Sequence, residues 1–153
     1  MTFLKLKHHG RSSMFRWGMP KVTGQHIHVT CAIIERDELV LAAQRSDTMS
    51  LPLKWEFPGG KIRQGESPEA CLIREIDEEM GVNVVIAGPL KPSTHRYPSV
   101  TVTLYPFICY LRKEEPVPLE HAALQWLPLD QLHTLDWAEA DMPVLAEYCR
   151  LRR

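Results

Sequence analysis

The sequence predicts an α+β fold, a sandwich in which a mixed sheet lies between helices. Three observations carry this. β-branched and apolar runs recur between residues 26 and 128, an acidic helix-forming segment interrupts them, and an amphipathic segment closes the chain. At 153 residues the chain is most simply one domain with a substantial core.

Residues 1–25 hold Lys5, Lys7, Arg11, Arg16 and Lys21, and no acid precedes Glu35. Such a stretch reads as a poorly ordered basic extension, with Met14 or Met19 as alternative starts, or as an organelle transit leader. The folded domain is expected over 26–153. From His26, "HIHVTCAIIERDELVLAAQR" gives two β-rich runs around Arg36-Asp37-Glu38, a hairpin. "SLPLKWEFPGGK", with two prolines and a glycine pair, reads as a loop entering a tight turn.

A helix follows. Ser67 suits its N-cap, Pro68 its first position, Glu69 its first turn, and Gly81 the residue after its end. Ile73, Ile76 and Met80 recur at helical spacing and mark the expected buried stripe. "VNVVIAG" and "SVTVTLYPFICYL" read as strands, "LQWLPL" as another short one, and "PLDQLHTLDW" as a brief helical turn. "DMPVLAEYCRLRR" reads as a last helix with Val144, Leu145, Tyr148 and Leu151 on its apolar side.

A net charge of −1 argues against broad attraction to nucleic acid polymers or anionic membrane. No apolar run approaches the roughly 20 residues a bilayer crossing needs. Cys31, Cys71, Cys109 and Cys149 are scattered without a CxxC pair, as expected of buried free thiols in a reducing, cytoplasmic compartment.

The acidic helix asks for a reason. Glu75, Glu78 and Glu79 stand at i, i+3 and i+4 and share one face, at a cost of a few tenths of a kcal/mol per like-charged pair. A merely wet face would tolerate that cost. Three neighbours point further. Gly59-Gly60 lets a backbone carbonyl approach closely, Arg74 is placed to tie down a carboxylate, and Glu66 adds another acid. Carboxylate oxygens plus a carbonyl suit Mg²⁺ or Mn²⁺, whereas zinc would want thiolate or imidazole. His26 and His28 alternate on one strand without a third ligand nearby and are expected to be structural. His95 and Arg96 are weaker candidates for a phosphate border.

Gly60, five residues, Glu66, seven residues, then Arg74-Glu75-Ile76-Asp77-Glu78-Glu79-Met80-Gly81-Val82 resembles the signature box of the Nudix hydrolases, with every fixed position filled. The resemblance implies a Nudix-type α/β/α sandwich that hydrolyses a nucleoside diphosphate linked to another group. It implies Mg²⁺ as cofactor, with Mn²⁺ as a substitute. The expected partner is a small-molecule nucleoside triphosphate, and the expected state is monomer or homodimer. Metal ions would neutralise phosphate charge and acidify a water, and a carboxylate would take its proton. Glu75, Glu78 and Glu79 are the expected ligands with the Gly59 carbonyl. Glu75 doubles as the leading base, Arg74 orients a carboxylate, and Glu66 supports the array.

"WEFPGGK" further resembles the MutT-type branch, which cleaves nucleoside triphosphates to monophosphate and pyrophosphate. It places Phe57 and Lys61 on the substrate side. Glu120, six residues before Trp126, is either an extra ligand or base or an ordinary surface acid. Arg45 is either a phosphate contact or a strand-end surface residue. Asp141, two before Pro143, stands where that branch carries a polar base-reading residue. Asparagine there offers donor and acceptor; ionised aspartate only accepts, whereas a buried, protonated aspartate does both, and aspartate at this place also occurs in cytidine-triphosphate-type relatives. The other reading of Asp141 is an N-cap for the final helix. Tyr97 and Trp137 are stacking candidates or core. The expected activity is clearance of oxidised nucleotides such as 8-oxo-dGTP. The alternatives are a CTP-type pyrophosphohydrolase and a non-catalytic nucleotide sensor.

Overall fold

The computed structural model describes residues 24–153, so the expectation for the basic extension lies outside the described residues but for its end: Gln25 already opens the first strand. In chain order the elements are β1 (Gln25–Arg36), β2 (Leu39–Gln44), β3 (Trp55–Glu56), β4 (Gly59–Lys61) and helix α1 (Pro68–Met80). Then come β5 (Val85–Pro89), β6 (Ser93–Arg96), β7 (Val100–Tyr110), β8 (Ala123–Pro128) and helix α2 (Met142–Arg152). Short 3-10 turns occupy Leu129–Thr134 and Glu139–Asp141.

The expected α+β sandwich is what forms. β1 and β7 pair in parallel along their length, and the remaining pairs are antiparallel, so the sheet is mixed. Its backbone order is β3-β2-β1-β7-β5, with β4 on β1, β6 on β7 and β8 on β2. The β1–β2 hairpin closes through Asp37 (φ 52°) and Glu38 (φ 64°), the left-handed pair a two-residue turn requires.

Alternation along β1 serves two cores. Ile27, Val29, Cys31 and Ile33 meet Val144 and Tyr148 of α2 on one face. Ala32 and Ile34 meet Leu72, Ile76 and Met80 of α1 on the other. Among the described residues, no helix is long and apolar enough to cross a membrane.

Four expectations need correction. Ile73 is 41% exposed, and the buried stripe runs through Leu72, Ile76 and Met80. The helix is turned so that its glutamate flank, with Cys71, Glu75 and Glu79, is buried against β4; Ile73 lies on the opposite flank. Leu151 is likewise exposed in the last turn of α2, where Arg152 reaches back to Glu35. "WEFPGGK" is not only loop, since it contributes β3 and β4, and Gly59 stands opposite Cys31 of β1. β6 has no counterpart in the sequence reading.

Candidate active site

Helix α1 is fixed at both ends. Ser67 Oγ accepts from the Ala70 N–H at 3.1 Å, Pro68 opens the first turn, and Gly81 at φ 69° donates its N–H to Asp77 O. That register points Asp77 outward, half-buries Glu78, and buries Glu75 and Glu79.

Arg74 gathers the acids. Its Nε and Nη2 donate to the two oxygens of Glu66 at 2.7 and 2.8 Å, and Nη1 donates to Glu75 at 2.9 Å and Glu78 at 3.4 Å. The expectation that Arg74 orients one carboxylate is thus too modest, for it holds three. This guanidinium pulls the Glu66 carboxyl down to about 2, and the acids in turn raise Arg74 above its ordinary range, the hydrogen bonds to Glu66 contributing most.

The glycine strand closes the other side. Gly59 N–H donates to Glu79 Oε1 at 3.2 Å, and a Cβ on Gly60 would stand 2.1 Å from Glu75 Cδ. Lys61 ends the strand with an exposed side chain, and its carbonyl accepts from the Cys71 thiol at 3.4 Å. Burial pushes that thiol up to about 11.

The donors here are carboxylate oxygens on Glu66, Glu75, Glu78 and Glu79, beside the Gly59-Gly60 backbone. That set fits a hard divalent cation rather than zinc. With Arg74 drawing three of the acids toward itself, no three His, Cys, Asp or Glu among the described residues form a ready-made ligand cage.

A second polar group lies inside the fold, where β3 and β8 flank β2. Arg45 donates from Nη1 to Glu56 Oε1 at 3.0 Å, from Nε to Ser50 O and from Nη2 to Ser50 Oγ. Its side chain is 3% exposed. Burial corrects the reading of Arg45 as a strand-end surface residue. The other oxygen of Glu56 meets His121 Nε2 at 2.9 Å. Burial alone would lower His121, but the carboxylates of Glu79 and Glu56 outweigh it and raise the imidazole above its ordinary value. Its Nδ1 is buried without a hydrogen-bond partner among the described residues, which typically costs about 1–3 kcal/mol. Sequence reasoning missed Glu56 and His121.

Arg45, Glu56, Tyr97, Ala140 and Asp141 line a pocket with Val102 and Leu104 at its side. Asp141 is 2% exposed and makes no side-chain cap to α2; Oδ2 instead accepts from the Phe57 N–H at 2.9 Å. The capping alternative is therefore corrected. So is a substrate-facing ring for Phe57, which is fully buried against Trp137, 4.8 Å between centroids. Trp137 is core as well, and the Tyr97 hydroxyl accepts from Ala140 N–H at 3.0 Å.

Glu120 is partly buried, one residue before His121. His26 and His28 stack at 4.5 Å and bond to Thr103 and Tyr105, in keeping with structural roles. His95 Nε2 pairs with Glu139 at 3.4 Å, edge-on to Tyr97.

A family model described as NUDIX domain matches residues 24–148. The 8-oxo-dGTP diphosphatase of Escherichia coli K12 is 31% identical over 117 residues, 76% of this chain and 90% of that protein. The CTP pyrophosphohydrolase of the same organism is 31% identical over 126 residues, 82% of this chain and 93% of that one. A solution structure of the MutT protein of methicillin-resistant Staphylococcus aureus 252, described as a Nudix hydrolase, superposes with a TM-score of 0.70 at 40% identity. It covers 84% of this chain and 99% of that one.

Proposed function

This chain belongs to the NUDIX family, and from that premise we propose that it is a divalent-metal-dependent nucleoside triphosphate pyrophosphohydrolase. Water is added across a phosphoanhydride, and the products are a nucleoside monophosphate and inorganic pyrophosphate. One observation carries the reading: Glu66, Glu75 and Glu78 gather on a single guanidinium, beside a glycine strand that seats Glu79.

Glu75, Glu78 and Glu79, supported by Glu66 and the Gly59 backbone, would hold the ion. When bound, Mg²⁺, or Mn²⁺ in its place, neutralises phosphate charge and acidifies a water. The residues do the rest. Arg74 orients the carboxylates, and buried Glu75 is placed to accept the proton of the attacking water, with Glu120 as the second candidate. The pocket at Asp141 takes the nucleobase.

The substrate reading is an oxidised purine triphosphate of the 8-oxo-dGTP type, and the role is cytoplasmic clearance of damaged nucleotides that protects DNA from mutation. It is supported by relatives named for that activity. A cytosine triphosphate is the second reading. Asp141 brings a carboxylate to the pocket wall, and a carboxylate acceptor suits a base edge that donates, such as the cytosine amine.

Glu79→Gln is expected to lower kcat on the order of 100-fold or more while the far-ultraviolet spectrum is unchanged. The assay separates pyrophosphate from phosphate release over a panel of canonical and oxidised triphosphates. Undiminished turnover in this variant would reject the site. Tight nucleotide binding without turnover in the parent chain would instead support a sensor.

A further inference from the structure

We infer that His121 is a positioning residue linking the wall of the base pocket to the metal-binding glutamates, so that the identity of the base is felt at the reacting end. This rests on the hydrolase reading and deepens it.

The segment carrying His121 is strapped to both regions. Val117 N–H donates to Met80 O and Leu119 N–H to Glu79 O, each at 3.1 Å, satisfying carbonyls at the C-terminal end of α1. Three residues on, Ala122 N–H donates to Gln44 O at 2.8 Å, beside Arg45. His121 is thus held between the end of the glutamate helix and the end of β2.

Its ring continues the link. Nε2 meets Glu56 Oε2 at 2.9 Å, and Glu56 Oε1 accepts from Arg45 at 3.0 Å; Glu56 and Arg45 both line the pocket. On the other side the segment reaches Glu79, whose carbonyl accepts from Leu119 N–H, two residues before His121, and whose carboxylate accepts from Gly59 N–H, three residues beyond Glu56.

Mere filling of the space is a poor explanation. The side chain is 0% exposed, and an apolar residue would fill the volume without a buried, unpartnered Nδ1. What an imidazole adds is a rigid donor toward Glu56, carried on a segment strapped to the backbone of Glu79. Movement of the pocket wall against a base then presses on the carboxylate that seats the ion.

Three variants test this. The amide nitrogen of glutamine falls about where Nε2 stands, that of asparagine about where Nδ1 stands, and alanine removes both. kcat and KM are measured for triphosphates of differing base, together with binding of Mn²⁺ alone and thermal melting. His121→Ala should lower kcat/KM about tenfold or more, bring the ratio between preferred and second-best base toward one, and weaken Mn²⁺ binding. His121→Gln should restore the base ratio, and His121→Asn should not.

If His121→Ala shifts only the melting temperature, or if glutamine and asparagine behave alike, the inference is overturned. Should the alanine variant fail to fold, the glutamine–asparagine contrast decides. Should the parent chain hydrolyse no triphosphate, the hydrolase reading fails by itself. Mn²⁺ affinity then decides the link, and an unchanged value across the variants overturns it.

Discussion

A Cβ on Gly60 would stand 2.1 Å from Glu75 Cδ, whereas one on Gly59 would stand 2.0 Å from the Thr30 carbonyl oxygen. Adjacent glycines thus protect different things. The Glu75 carboxylate is the far end of a flexible chain and can swing away, so Gly60→Ala should fold yet lose nearly all turnover. Thr30 is backbone of β1, so Gly59→Ala must force β4 off its partner and should cost about 3 kcal/mol or more. Urea midpoints and steady-state rates on the same two preparations separate the cases; equal stability loss in both would contradict the packing. The Glu66–Arg74 pair makes a second prediction, in metal-free buffer. Glu66 has a folded-state value near 2 against an ordinary 4.5, set first by its hydrogen bonds to Arg74. A depressed carboxyl stabilises the fold above its unfolded value, and that contribution is lost as pH falls from about 4.5 through about 2. Glu66→Gln should therefore lie below the parent in stability at neutral pH and converge with it across that window. A gap independent of pH would show that ionisation of Glu66 is not what stabilises the fold.

Helix α1 sets the register for all of this, and its packing can be tested face by face. Leu72 is fully buried while Ile73 beside it is 41% exposed. Leu72→Ala should cost about 2–5 kcal/mol and Ile73→Ala no more than about 0.5, read by chemical denaturation. Similar losses would mean the helix is rotated from the arrangement described. The caps at Ser67 and Gly81 and the spacing of the glutamates were legible because each depends on residues a few positions apart. The rotation was not, because periodicity finds an apolar arc without saying which flank meets the sheet. Here the two glycines draw the glutamate flank inward and leave Ile73 outside. β3 and β4 were hidden for a related reason: proline and glycine carry no strand signal, and their pairing with β2 and β1 is a long-range fact. Glu56 and His121 were invisible because only the β3-β2-β8 adjacency brings them together.

Across the whole molecule, the carboxylates belong to the α1 face of the sheet, and the pocket is walled by residues such as Val29, Val102 and Leu104 of the α2-side core. Residues 56–60 pass from one to the other. Glu56 lines the pocket, Phe57 N–H holds Asp141, Gly59 N–H holds Glu79, and Gly60 lies against Glu75. This division allows base selection to be altered without dismantling the chemistry, and Asp141 is the place to do it. Asp141→Asn keeps an oxygen that can accept from Phe57 N–H, so stability should change by less than about 1 kcal/mol. It exchanges an acceptor in the pocket for a donor. Preference should therefore move away from bases presenting an amine, such as cytosine, and toward bases presenting a carbonyl, with binding of Mn²⁺ alone unchanged. The comparison requires kcat/KM for both classes on parent and variant, since a fall common to all substrates would reflect damage rather than selection. An unchanged ratio with intact stability would limit Asp141 to holding the Phe57 backbone and leave base recognition to other walls of the pocket.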